Sequence, residues 1–196
     1  MKNRNLEENN ENLKTEKQRK VKKSSILWCI KIFILSFVLS LCFSFIAEIV
    51  SSLNSVIFAI IMIVILLTIN TISDIIATAV TSCDIEPFLA MASKKKKGAK
   101  TAVWIVKNAD KVSNICADVI GDICGIVSGA VGVTLVIYLT VLNSATYFET
   151  LVTVLVSALI SAFTIGGKAL GKSYAMNNSV KVVYRIARIL SIFTKG

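Results

Sequence analysis

The sequence predicts an all-α, polytopic membrane protein with four transmembrane helices, and three observations support this. Of its 196 residues, 55% are hydrophobic and only 17% are charged, with a mean hydropathy of +0.72. Apolar stretches that reach or exceed the ~20 residues needed to span a bilayer occupy 26–50, 53–80, 112–142 and 147–166. Only one proline occurs, so the helices are uninterrupted, and they leave no room for a soluble domain.

The distribution of positive charge predicts how these spans are oriented. Lys and Arg residues concentrate in the first 24 residues, in the 94–111 connection and after residue 167, whereas the connections at 51–52 and 143–146 have none. Four spans place the three basic segments on one side, which the positive-inside rule makes cytoplasmic. We therefore expect a multi-pass protein of the plasma membrane with both termini in the cytoplasm. The formal charge of +10 is explained by this topology and by attraction to anionic lipid.

Residues 1–24 form a basic tail rich in Lys, Asn and Glu, expected to be mobile or at most a surface helix. The apolar run at 25–50 is too long for a signal peptide, and we expect it to remain as an additional first transmembrane helix. The second span, 53–80, is aliphatic at first and polar towards its end, where Asp74 lies ~9 Å from the cytoplasmic boundary. This acid is interpreted either as a hydrated helix-end residue or as an ion ligand.

The connections on the cytoplasmic side are predicted to hold juxtamembrane amphipathic helices. Residues 86–108 combine an intermittent apolar stripe with many lysines, which predicts one or two short helices on the inner leaflet. Residues 177–194 follow the same pattern. Between them, 166–173 match the P-loop pattern GxxxxGK[ST], but we reject a phosphate-binding loop because a membrane helix, not a strand, precedes it.

The third span, 112–142, has the most unusual composition. At ~100° per residue, its polar and glycine residues share a face about 100° wide: Asn114, Asp118, Gly121, Asp122, Gly125, Gly129 and Gly132. Packing against another helix explains Gly125, Gly129 and Gly132. It does not explain the acids, and Asp122 lies ~15 Å into the membrane, where a carboxylate indicates a functional site.

Several short strings, in order, resemble the transmembrane domain of the CNNM/CorB/CorC magnesium transporters. Residues 73–77 (SDIIA) are similar to the end of that family's first core span, and 97–102 (KGAKTA) to its juxtamembrane helix. Residues 109–111 (ADK) resemble the following turn, and 120–122 (IGD) the Ile-Gly-Asn signature. The resemblance covers about residues 55–190, and we assign 53–190 to such a domain. The family's CBS pair and acidic C-terminal domain have no counterpart in the sequence.

The resemblance implies a dimeric core that binds magnesium in mid-membrane through oxygen ligands. Carried over to matching positions, it implicates Ser73, Asp74, Gly121 and Asp122, although Asp122 stands where the family has Asn. The polar stripe adds Asp118 to this predicted metal site. The last span departs from the family, since Thr164 and Gly167 replace Glu and Pro. A separate cytosolic regulatory protein is a further expected partner.

Three functions fit the sequence. The first is a divalent-cation (magnesium-like) transporter or ion-binding protein, acting as a homodimer, in which Asp74, Asp118 and Asp122 meet in one cavity. The second is a non-transporting membrane scaffold or subunit that packs through small-residue helix faces, and the third is proton-coupled carriage of another solute. No nucleic-acid partner is expected, because the basic segments lack interleaved aromatic residues. No enzymatic activity is expected, because the chain has no histidine and no visible nucleophile–base pairing.

Overall fold

The computed structural model describes residues 2–52, 55–140 and 146–193, with side chains from residue 26 onward except those of residues 50, 146, 148, 149 and 193. These residues form helices and short connections without any strand, which confirms the all-α prediction. Four helical stretches are long and apolar enough to cross a membrane, namely Ile26–Ile49, Val56–Thr81, Ala109–Thr140 and Thr150–Asn177. In chain order the helices are α1 Lys2–Ser52, α2 Val56–Thr81, α3 Glu86–Ser93, α4 Ala99–Lys107, α5 Ala109–Asn114, a π-helix Ile115–Gly121, α6 Asp122–Thr140, α7 Thr146–Asn177 and α8 Ser179–Phe193.

The N-terminal tail differs from the expectation of a mobile segment, because α1 runs without a break from Lys2 to Ser52. This stretch contains neither glycine nor proline, and its tail is rich in Lys and Glu, which have high helix propensity. Glu16 and Lys20 are also spaced to support the helix through an i,i+4 pair. The chain divides into two compact units, Met1–Leu39 and Ser40–Gly196, and everything described below lies within the second.

Helix α2 is the central element of the second unit, where it packs against α5, the π-helix, α6, α7 and α8. Its buried apolar residues recur at helical spacing: Ala59, Met62, Ile63, Leu66, Ala77, Ala79 and Val80. Its opposite face exposes Ile57, Phe58, Ile61 and Ile65. Exposed aliphatic side chains of this kind suit contact with lipid, so α2 has one protein-facing and one lipid-facing side.

An apolar cluster lies where α2 and α7 end. Its fully buried members come from five helices: Ala79, Val80, Phe88, Ala102, Ile105, Ala175, Val183 and Ala187. The predicted 86–108 segment is two helices, α3 and α4, and the predicted 177–194 segment is the amphipathic helix α8. The cluster therefore brings the basic segments around 94–111 and 168–193 to the same end of the spans, as their predicted topology requires.

Two spans differ from their predicted form. The third is not a uniform α-helix over 112–142, because the π-helix Ile115–Gly121 interrupts it, and residues 141–142 lie outside the described part. The fourth does not end at Gly166, because α7 continues to Asn177. Glycine usually weakens a helix, but Gly167 and Gly171 pack closely against Thr71 and Ile75 of α2, and this packing offsets the loss.

Candidate cation site

The polar half of α2 turns towards the protein interior. Asn70, Ser73 and Asp74 are only 1%, 6% and 7% exposed. Residues three and four apart share one face of a helix, so the carboxamide, the hydroxyl and the carboxylate project in the same direction. Ser73 and Asp74 are two of the predicted metal ligands. The buried Asn70 was not predicted, although its i,i+4 spacing to Asp74 was visible in the sequence.

The π-helix and the start of α6 form the wall opposite Asn70. A β-carbon on Gly121 would lie 3.2 Å from Asn70 Oδ1 and 3.5 Å from the carbonyl oxygen of Cys116. A β-carbon on Gly125 would lie 3.7 Å from Asn70 Nδ2. These two glycines therefore allow the backbone of the third span to approach the Asn70 carboxamide closely. π-Helical turns in α-helices are rare and are frequent at functional sites.

Two oxygen atoms of this face have no hydrogen-bond partner among the described residues. They are Asn70 Oδ1 and Asp74 Oδ2, and both are fully buried. An unpaired buried polar atom costs about 1–3 kcal/mol, and more when it is charged. Two such atoms on neighbouring turns of one helix are therefore available to a polar ligand or a cation.

The charge of Asp74 is partly balanced by Lys172 of α7. Lys172 Nζ lies 3.7 Å from Asp74 Oδ2, and the lysine side chain is 53% exposed whereas that of the aspartate is 9% exposed. This separation exceeds the range of a charge-assisted hydrogen bond, so the ion pair is loose. The close packing of Gly167 and Gly171 on α2 brings this part of α7, and with it Lys172, to the carboxylate.

Lys172 belongs to the 166–173 segment that matches the P-loop pattern. The whole segment lies inside α7, so its backbone does not form a phosphate-binding loop. Its glycines instead serve close helix contact, and its second lysine faces an acid of α2. The sequence contained the spacing of these residues but not their partner, which lies about a hundred residues earlier in the chain.

The three acids do not come together as expected. Asp74 is buried, whereas Asp118 and Asp122 are exposed, although Gly121 between them is buried. Among the described residues, no three Asp, Glu, His or Cys side chains form a group that could hold a metal ion. The expected cavity with Asp74, Asp118 and Asp122 is therefore wrong for a single chain. The physical reason is that the buried face of α6 is formed by Ile123, Cys124, Val127 and Ser128 and not by the predicted polar stripe, of which Asp122 and Gly129 are exposed.

The glycines of α6 differ in their surroundings. A β-carbon on Gly132 would lie 2.6 Å from Ile160 Cδ1, whereas one on Gly129 would meet nothing within 4 Å. Gly125, Gly129 and Gly132 line a cavity of ≈310 Å³ together with Ser157, Ser161 and Thr164 of α7. Thr164 is already satisfied, because its hydroxyl donates to the Ile160 carbonyl at 2.7 Å. Only Gly132 is thus in close contact with α7, and a gap lined by small residues lies beside the other two.

Comparison of the chain with protein-family models, with curated proteins and with solved structures finds no match. What is established is therefore the architecture, a multi-pass, all-helical membrane protein with four candidate membrane-spanning helices.

Proposed function

We propose that this protein binds a divalent, magnesium-like cation within the membrane and that it acts as a transporter or ion-binding protein for that cation. The observation that carries the proposal is a pair of buried oxygens, Asn70 Oδ1 and Asp74 Oδ2, which lie four residues apart on α2 and have no hydrogen bond among the described residues. Within that part of the chain, the loose ion pair with Lys172 is the one contact of these two oxygens that the structure gives. Ser73 lies on the same buried face, and Gly121 provides the close approach of the π-helix. We call Asn70, Ser73, Asp74 and Gly121 the α2 site.

The donor set of the α2 site suits a hard cation. Magnesium prefers oxygen ligands and keeps several of its waters, so proteins commonly hold it through one or two carboxylates. Asp74 would supply the carboxylate, and Asn70 and Ser73 would supply neutral oxygens. A softer metal is not favoured, because the α2 site contains neither histidine nor cysteine. The residues present therefore fit a partly hydrated magnesium ion, with Asp74 as the charged ligand.

Lys172 supports a site that exchanges its cation rather than a permanent one. With Lys172 beside Asp74 the pair is neutral, and a carboxylate in the membrane is tolerated. An arriving cation replaces the ammonium group as the counter-charge. The Lys172 side chain is long, flexible and half-exposed. Its ammonium group therefore moves away from the carboxylate at a cost of about 1 kcal/mol or less.

The exposed acids of the third span support a homodimer. Asp118 and Asp122 lie within a membrane-spanning helix, and both are exposed in the single chain. A carboxylate facing hydrocarbon is costly, so these two must meet water or a second protein surface. We infer that a second copy covers this face and that the two acids line a wet interface, where they attract cations towards the α2 site.

The resemblance to the CNNM/CorB/CorC family supports the same function, since its strings include Ser73, Asp74, Gly121 and Asp122. We further propose a plasma-membrane location with both termini in the cytoplasm, on the basis of the three basic segments. A separate cytosolic protein would then supply the regulation that the family's CBS and acidic domains provide.

One observation favours a second function, that of a non-transporting scaffold or subunit. The ≈310 Å³ gap between α6 and α7 is lined by three glycines and three hydroxyl residues, and Gly129 has open space beside it. Small residues of this kind admit another transmembrane helix at close range. A scaffold would use this groove and would not depend on the charge of Asp74.

Magnesium-dependent thermal stability of the full chain in detergent distinguishes the two functions. At a magnesium concentration one hundred times the Kd, binding adds about 2.7 kcal/mol, which corresponds to roughly 5–10 °C in Tm for a chain of this size. We expect Asp74→Asn and Asn70→Ala to abolish this increase. Asp84→Asn, a matched control that removes an exposed acid outside the spans, should preserve it.

Two results would contradict the proposal. One is the absence of any magnesium effect at millimolar concentrations in the wild-type protein. The other is a full effect in Asp74→Asn, which would place the ion elsewhere. The first result would leave the scaffold function as the better explanation, and the second would refute the α2 site as the ion-binding site.

A further inference from the structure

A basic cavity lies at the end of the spans, remote from the α2 site in sequence and independent of the proposed transport. Its volume is ≈610 Å³, and its wall includes Lys95, Lys96, Lys97, Lys100, Ser191 and Ile192. The lysines come from the α3–α4 connection and the first turn of α4, whereas Ser191 and Ile192 belong to α8. We call this site the basic cavity.

The positive charge of the basic cavity is not balanced within the described part of the chain. No carboxylate of the described residues pairs with any of the four lysines. The first turn of α4 has no side-chain cap, and the positive end of its helix dipole adds to the positive potential. Four ammonium groups around one cavity repel each other, and a bound anion removes this cost.

The basic cavity is held in place by packing. Gly98 has a φ of 82° and its added β-carbon would lie 3.0 Å from the Arg188 Cα, so the connection is pressed against the backbone of α8. The Tyr184 hydroxyl donates to the Lys97 carbonyl at 3.2 Å, which joins the same two elements. These contacts restrain the backbone that carries the lysines, so less conformational entropy is lost when a ligand binds.

The surroundings of the basic cavity favour a lipid over a free anion. The fully buried residues of α3, α4 and α8 pack on the ends of α2 and α7, which places the cavity at the depth of the lipid headgroups. Ile192 on its wall is 76% exposed, and the neighbouring Ile189 is also exposed. An acyl chain could cover these side chains while the headgroup lies among the lysines. The exposed Trp104 of α4 is typical of this interface.

We propose that the basic cavity binds one anionic phospholipid whose headgroup ends in a phosphate monoester. Four lysines and a helix N-terminus match a doubly charged phosphate better than a singly charged phosphodiester. The Ser191 hydroxyl donates to the Arg188 carbonyl at 2.8 Å, so the lysines rather than this hydroxyl recognise the phosphate. The bound lipid connects α4 to α8.

Native mass spectrometry of the full chain in a neutral detergent tests this site. The probes are short-chain phosphatidic acid, phosphatidylglycerol and inorganic phosphate. The test variant is Lys95→Gln/Lys96→Gln/Lys100→Gln, and the control is Lys107→Gln/Lys181→Gln/Arg185→Gln, which removes the same charge from exposed residues outside the cavity. We expect one tightly bound phosphatidic acid in the wild type and the control. The affinity should fall about a hundredfold in the test variant.

Three outcomes would overturn the proposal. Equal losses in the test and control variants would mean diffuse attraction without a site. Inorganic phosphate that binds as tightly as phosphatidic acid, and displaces it, would mean a site for a free anion. The absence of a one-to-one lipid complex in the wild type would mean that the cavity takes no lipid.

Discussion

The two side chains of the ion pair between Asp74 and Lys172 differ in exposure, and the effect of this difference on stability can be measured. The aspartate side chain is 9% exposed and the lysine side chain is 53% exposed, with 3.7 Å between Asp74 Oδ2 and Lys172 Nζ. Lys172→Gln leaves a buried carboxylate without its counter-charge, whereas Asp74→Asn leaves a lysine that water still solvates. We therefore expect Lys172→Gln to destabilise the protein more than Asp74→Asn does.

The size of the effect follows from the geometry. Two unit charges 3.7 Å apart interact by about 1 kcal/mol at the dielectric constant of water and by about 4 kcal/mol at an effective value of 20. Because Lys172 is half-exposed, the lower figure applies, and residual desolvation of the orphaned acid raises the total to about 1–2 kcal/mol. This corresponds to a fall in Tm of about 3–6 °C for Lys172→Gln. Asp74→Asn should stay within about 0.5 kcal/mol.

Thermal unfolding of the four proteins of a double-mutant cycle, in one detergent and without divalent cations, is the assay. Lys168→Gln is the matched control, because it removes the same charge one turn earlier in α7, where no ion pair forms among the described residues. The reasoning is refuted if Lys172→Gln is no worse than Lys168→Gln, or if Asp74→Asn is the more damaging change. If the α2 site binds a cation, magnesium should also stabilise Lys172→Gln more than the wild type, with an affinity about fivefold higher.

Three further predictions concern close contacts and a thiol. Gly121→Ala should lower the free energy of unfolding, because its β-carbon would lie 3.2 Å from Asn70 Oδ1. Gly129→Ala, with nothing within 4 Å, should leave the free energy of unfolding unchanged or raise it by up to about 1 kcal/mol, and equal effects of the two changes on thermal unfolding would contradict the close approach at Asn70. Gly98→Ala should cost about 1–3 kcal/mol, since an alanine there is strained at a φ of 82° and meets the Arg188 backbone; an unchanged melting curve would argue against this turn. Burial, followed by the neighbouring Asp84 charge, raises the pKa of the Cys83 thiol. Asp84→Asn removes the second cause and so increases the thiolate fraction, and maleimide labelling of a Cys83-only variant at pH 8 should therefore be faster. A slower labelling rate would contradict the sign of the Asp84 effect.

The membrane spans were predictable because their signal is local. Apolar length and the absence of proline determine where a helix can cross a bilayer, and all four predicted spans correspond to apolar helices of the structure. The ends of α1 and α7 were less predictable. Each continues beyond its apolar run, since nothing in the polar tail interrupts α1 and contact with α2 stabilises the glycine-containing part of α7.

The candidate site was predicted only in part. Ser73 and Asp74 of α2 and Gly121 of the π-helix are buried where these two elements pack together. Asp118 and Asp122 are exposed. The error came from assigning the polar stripe of the third span to the protein interior, because the buried face of α6 holds Ile123, Cys124 and Val127 instead. No sequence signal marked the π-helix either. Asn70 was visible as one of several polar residues of the second span, but its burial depends on two glycines of another helix.

The sequence by itself determined the class of protein, the number of apolar helices and the positions of the basic segments. These depend on composition and on short-range spacing, because apolar length determines which helices can span a bilayer and basic residues determine their orientation. Only the tertiary structure decided which acid is buried, which lysine accompanies it and which lysines surround one cavity. Lys172 meets Asp74, and α8 closes the basic cavity, through contacts between residues far apart in the chain. Such pairings depend on how helices rotate and pack against each other, and a single span does not contain that information.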